Sequence, residues 1–129
     1  MTTLEFYLEE VNECLIDHYQ VAGYRFVIER ILANSAYIRV HVALLDGSLL
    51  QFTEYSEVDI DGDLQLITYS YQWMDADGTL LRRWDNAAHY PRLRGFPHHV
   101  HDGHEKKVVP SEPMSLIKVL DSIVTQLSE

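Results

Sequence analysis

From Tyr37 to Asp85 the chain alternates apolar and polar residues in successive runs, and the runs are separated by turns bearing aspartate and glycine. Alternation of this kind places side chains of one parity on one face of a strand, so each run predicts a strand with one buried face. In residues 37–45, Ile38, Val40, Val42 and Leu44 form one face and Tyr37, Arg39, His41 and Ala43 the other. Asp46-Gly47 then predicts a tight type I′ hairpin turn, because glycine tolerates the positive φ that such a turn demands. The return strand, over 48–56, sets Leu50 and Phe52 on one face. Asp59, Asp61, Gly62 and Asp63 read as a solvated acidic turn, since the glycine position and distal glutamate of a calcium loop are missing. A strand over 64–74 follows, with Ile67, Tyr69, Tyr71 and Trp73 alternating with Leu64, Leu66, Thr68 and Ser70. Asp75-Ala76-Asp77-Gly78 turns it back into 79–85. Residues 24–32 are a strand of poor phase.

Helical patterns flank this meander. Thr2 and Glu5 have the spacing of a capping box, and Leu4, Leu8, Val11 and Leu15 recur at helical spacing, predicting a helix over 3–19. His18 lies beside that stripe and reads as a structural histidine, and Cys14, the sole cysteine, as a small buried hydrophobe. Pro110-Ser111-Glu112-Pro113 opens a second helix whose stripe is Leu116, Leu120, Ile123, Val124 and Leu127. The sequence thus predicts an α+β fold: an antiparallel β-meander of four to five strands, with an N-terminal and a C-terminal helix packed on one face. At 129 residues it forms a single domain over 1–129. No apolar run is long enough to span a membrane and no secretory signal opens the chain, so a cytoplasmic protein is expected.

Charge is distributed unevenly. The chain carries a net −10, yet residues 82–107 hold six Lys and Arg against three Asp and Glu, a local +3. Five of the seven histidines also fall between Arg82 and Pro110. The whole surface is therefore too acidic to adhere broadly to nucleic acid or anionic lipid, while one loop, 82–110, concentrates cations and imidazoles.

That loop supports three kinds of chemistry. For phosphodiester cleavage or phosphoryl transfer, Arg82, Arg83, Arg92 and Arg94 supply phosphate contacts, and two imidazoles among His89, His98, His99 and His101 supply the general acid and base. Tyr90, Trp84 and Phe96 offer faces on which exposed bases stack. For metal binding, His98-His99-x-His101-x-x-His104 has ligand types suited to zinc, and His99, His101 and His104 are the candidate ligands, although no familiar spacing is present. In the plainest alternative, Trp84 and Phe96-Pro97 anchor a long loop by packing, with Asp85 and Asn86 capping its turns and His101 to Lys107 forming a mobile tip.

A family likeness enters at the same residues. Asp85-Asn86-Ala87 with His89 and Pro91, Phe96-Pro97-His98-His99 with His101, and Val109-Pro110-Ser111 before a closing amphipathic helix together resemble the TumE family of small bacterial and archaeal proteins. This chain departs from the family pattern at Ala88, where the pattern often has proline, at Tyr90, where it often has a second histidine, and at Val100, where it often has lysine. The resemblance implies the toxin of a toxin–antitoxin pair, bound by a DNA-binding antitoxin and directed at RNA.

The expected protein is then a toxin that acts on RNA through its His/Arg-rich loop, as a metal-independent ribonuclease or an RNA-directed transferase. His89 with His98 or His99 would be the acid–base pair, Asp85 would orient an imidazole, and Arg82, Arg83, Arg92, Arg94 and Tyr90 would hold substrate. No cofactor is expected; zinc belongs to the rival metal-binding reading. The expected partner is a helix-turn-helix antitoxin, and the sequence leaves a homo-oligomer open. The rival class is a non-enzymatic interaction module that uses the loop for docking.

Overall fold

A computed structural model describes residues 1–129. In chain order the elements are α1 (Thr3–Asp17), β1 (Val21–Ile31), β2 (Ser35–Leu44), β3 (Leu49–Val58), β4 (Leu64–Met74), β5 (Leu80–Asp85), β6 (His99–Asp102), β7 (Val108–Pro110) and α2 (Leu116–Leu127). The strands form one antiparallel sheet of seven, ordered in space as in sequence. The expected four to five strands fall short because β6 and β7 lie inside the stretch read as a loop. Strand β6 is short, and its His99, Val100 and His101 are all buried, so polar residues erase the alternation that marks a strand. The poor phase of β1 has its own cause: irregularities at Val21/Gly23 and Phe26/Ile28 shift its register against β2.

The hairpin turns share one device, which differs from the expected type I′. Gly47 donates its N–H to Leu44 O and has φ +91°, while Asp46 is not among the residues of positive φ, where a type I′ turn requires two. Gly62 and Gly78 repeat the arrangement, bonded to Asp59 and Asp75. Each is a type I turn closed by a glycine in the left-handed region. The Asp59 and Asp75 carboxylates accept from the N–H groups two and four residues on, which makes the acidic turn a hydrogen-bonded loop.

One face of the sheet carries the core. Val40 and Val42 of β2, Leu50 and Phe52 of β3, Tyr71 and Trp73 of β4, Trp84 of β5 and Val100 of β6 pack against both helices in a single cluster. Helix α1 contributes Leu8, Val11 and Leu15, and α2 contributes Leu116, Val119, Leu120 and Ile123. Burying a side chain of this size is worth about 1.5–3 kcal/mol, so the apolar stripes, more than helix propensity, hold both helices on this face. The Thr2–Glu5 capping box forms as the spacing predicts. The core also encloses Glu54, which is 1 % exposed and accepts from the hydroxyls of Tyr7 on α1 and Tyr71 on β4. His18 is structural, its Nδ1 accepting from Gln20 N–H and its Nε2 3.6 Å from Asp121 of α2.

No helix covers the opposite face. It carries Arg25 and Arg39, with only partly buried neutral groups such as Gln51, Thr53 and Gln72 between them and Arg83. Helix α1, on the other side, has five carboxylates and no cation. The carboxylates of α1 thus lie on the helix side, while the open face mixes Arg25, Arg39 and Arg83 with Glu57, Asp85 and Glu105.

Candidate functional site

The open face deepens where β5 and β6 pair. Register sets Asp85 opposite His99 and Arg83 opposite His101, so alternation puts these four side chains on one face while Trp84 and Val100 enter the core. Asn86 prolongs the sheet as β5 leaves it, accepting from Tyr69 N–H and donating to Ile67 O. Residues 86–98 then leave the sheet, bring His89 and Tyr90 over the open face, and return as β6. The result is a groove of about 590 Å³ whose walls include Thr53, Ser70, Arg83, Asp85, His89 and Tyr90.

At its floor Asp85, His99 and His101 converge, each less than a tenth exposed. His99 Nδ1 lies 2.9 Å from Pro97 O and His101 Nδ1 2.7 Å from Glu105 O. Carbonyls only accept, so each Nδ1 is the protonated nitrogen and each Nε2 faces inward. His99 Nε2 stands 2.9 Å from Asp85 Oδ1, and His101 Nε2 stands 3.4 Å from Asp85 Oδ2. The His99 approach is close in distance but not aligned as a hydrogen bond, and its Nε2 has no hydrogen-bond partner. Asp85 is held from behind by Ala87 N–H at 3.1 Å and Arg83 Nε at 3.1 Å. Arg83 in turn makes a two-pronged ion pair with Glu105, at 2.6 and 2.7 Å. Burial works against the guanidinium charge, but Glu105 and Asp85 outweigh it and raise its pKa; the same pair lowers that of Glu105.

Tyr90 roofs the two imidazoles edge-on, with ring centroids 5.2 Å from His99 and 6.3 Å from His101. It is the one non-glycine residue of positive φ, at +60°, a conformation that costs a residue with a side chain about 1–2 kcal/mol. Strain of this kind persists where the surroundings impose it, and it gathers at functional sites. The loop that carries Tyr90 is fastened at Gly95, where a Cβ would stand 2.6 Å from Ser111 O.

The candidate residues separate accordingly. Asp85, His101, Arg83, Tyr90 and the exposed His89 line the groove, and His99 is buried against Asp85 and Tyr90. His98 does not: its Nδ1 is 2.6 Å from Tyr69 OH and its ring stacks on Tyr69, a core residue of the helix-bearing face. Burial, aided by nearby His99, lowers the pKa of His98. Arg82 also turns away, its Nε donating to Asp102 at 3.0 Å. Arg92 and Arg94 are exposed on the loop without ion pairs, and His104 sits in the β6–β7 turn, accepting from Lys106 N–H. Two packing expectations need correction. Phe96 is 43 % exposed and does not anchor the loop, whereas Trp84 is buried as expected. His101 belongs to a strand, so the exposed tip is only the turn beyond it. Sequence reasoning left out Thr53 and Ser70, which reach the groove through strand register and carry no local motif.

These features define a class: an α+β protein with one sheet face free of helices, and a buried His/His/Asp set beneath a loop on that face. Residues 11–129 match the family model described as Toxin TumE, and the chain belongs to the TumE family of toxins. Membership implies an antitoxin partner. The searches of curated proteins and of solved structures return no match. No helix is long and apolar enough to cross a membrane.

Proposed function

We propose that this toxin acts on RNA in the groove between Asp85 and His89, in the cytoplasm, and that its antitoxin partner is a helix-turn-helix protein. The observation that supports the RNA reading best is the polarity of the sheet. A chain of net −10 keeps Arg25 and Arg39 on its uncovered face without ion pairs, and Arg83, paired with Asp85 and Glu105, at the groove. Burial, together with Arg25 and Arg39, lowers the pKa of His41 on the same face, which fits a local excess of positive charge. A polyanion is the ligand that such a strip attracts, and single-stranded RNA lies flat enough to follow it.

The chemistry would be phosphodiester cleavage. The 2′-hydroxyl of the RNA attacks the adjacent phosphorus and gives up its proton, and the 5′-oxygen leaves with a proton returned to it. His89, exposed at the rim, is the imidazole free to exchange that proton. Arg83 sits where a phosphate oxygen can displace exposed Glu105, and Asp85 holds its Nε from behind.

The test is incubation of purified protein with total RNA, alongside growth inhibition in cells. His89→Ala should reduce RNA cleavage by about 10²- to 10⁴-fold and relieve toxicity without loss of fold. His98→Ala should leave the chemistry in place. A His89→Ala protein that still cleaves and still kills would refute the assignment. Toxicity with RNA, nucleotides and other metabolites unchanged would favour the rival interaction module.

A further inference from the structure

We infer that Asp85, His99 and His101 form a binding site for one divalent first-row transition-metal ion, opening onto the groove. The inference deepens the RNA reading of that groove and rests on it only for the ion's use. Three observations carry it.

First, both tautomers are set from outside. With each Nδ1 proton committed to a backbone carbonyl, a neutral imidazole presents its Nε2 lone pair to the Asp85 carboxylate. Lone pair then faces lone pair at 2.9 Å, inside a buried pocket, which is unfavourable unless a positive centre lies between them. Protonating His99 instead would leave a buried Nε2–H without an aligned acceptor, because that nitrogen has no hydrogen-bond partner. Imidazoles fixed at one nitrogen by a backbone carbonyl, with the other nitrogen turned inward, are what metal-binding histidines show.

Second, the spacings are those of a coordination shell. Two ligands each about 2.1 Å from an ion stand about 3.0 Å apart at a right angle and about 3.4 Å apart at the tetrahedral angle. His99 Nε2 lies 2.9 Å from Asp85 Oδ1 and His101 Nε2 3.4 Å from Asp85 Oδ2, so an ion held by both carboxylate oxygens meets these spacings. One ligand atom from each residue lies within 4.8 Å of the others.

Third, the outer layer suits a cation. Ala87 N–H and Arg83 hold the two carboxylate oxygens, and Glu105 neutralises Arg83, so Asp85 is left as the net local charge of −1. Two imidazoles and one carboxylate leave positions open, and the groove side is where water or a phosphate oxygen can fill them. There an ion can act as a Lewis acid on a phosphate. The exposed His104 is not one of the three ligands.

Metal-stripped full-length protein should be titrated with Co²⁺ and with Zn²⁺ by calorimetry and, for Co²⁺, by visible absorption, in the absence of RNA. The expected result is one equivalent bound by the wild type and by His104→Ala, and binding at least about tenfold weaker in His101→Ala and Asp85→Asn. Imidazole nitrogen resonances read in the wild type need no mutant to fold. His99 and His101 should respond to the first equivalent while His98 and His104 do not. No stoichiometric binding, or binding lost with His104 alone, would overturn the inference. Since RNA is absent, failure here leaves the RNA reading standing; metal bound by a protein that leaves RNA intact would sink the RNA reading and leave the site.

Discussion

Replacing Glu54 by glutamine should alter how the stability of this protein depends on pH. The carboxyl is 1 % exposed at the junction of α1 with the sheet. Burial is the largest influence on it and raises its pKa, while the hydrogen bonds from Tyr7 and Tyr71 pull the other way without cancelling it. Burial and Glu54 itself raise both tyrosines well above their ordinary range, so they stay protonated and keep donating. The sign follows from which state holds the proton. An unfolded glutamate titrates near about 4.3, and the folded carboxyl holds its proton to higher pH. Across that interval the folded protein binds more protons than the unfolded chain, so stability falls as pH rises through the folded pKa. One proton gives a slope of at most about 1.4 kcal/mol per pH unit. Glu54→Gln keeps an acceptor for one tyrosine and has nothing to titrate. Urea unfolding of wild type and variant, from about pH 5 upward, should show the stability difference moving steadily in favour of glutamine. Parallel curves over the whole range would refute the raised carboxyl.

Two further changes test the loop and the groove. Gly95→Ala should destabilise the protein by about 2–4 kcal/mol, because it adds a left-handed backbone penalty to a contact with Ser111 O that only backbone movement relieves; thermal or urea unfolding measures it. Glu105→Gln removes a partly exposed ion pair and should change stability by no more than about 1 kcal/mol, while freeing Arg83 and tightening RNA binding in a gel-shift or anisotropy assay.

Elements with clear periodicity were legible in the sequence. Helix α1, the β2–β5 meander and α2 lie within a few residues of their expected bounds, because each buries one regular stripe. Strands β6 and β7 were not legible, since the sheet continues there through buried imidazoles and a proline. The same fact governed the site. Composition pointed to the stretch whose Asp85, His89, His99, His101 and Arg83 the structure brings together, but grouping His98 with His99 ignored the pleat. Adjacent strand residues point to opposite faces, and here that sends His98 to Tyr69 and His99 to Asp85. His101, two residues on from His99, was the better partner by that rule.

The match between strand order and chain order bears on how the molecule is made. Every pairing joins consecutive strands, so most of the sheet grows by local hairpins such as β2–β3, closed over the four residues 45–48. The pair that creates the site must close the thirteen residues 86–98 instead, an added entropic cost of about 1 kcal/mol. On its open face it gathers the buried polar groups Asp85, His99 and His101, while Trp84 and Val100 supply its apolar contact. A chain emerging from synthesis should therefore complete the β1–β5 meander before Asp85, His99 and His101 meet. In this chain of the TumE family, the candidate groove is thus among the last parts of the sheet to form.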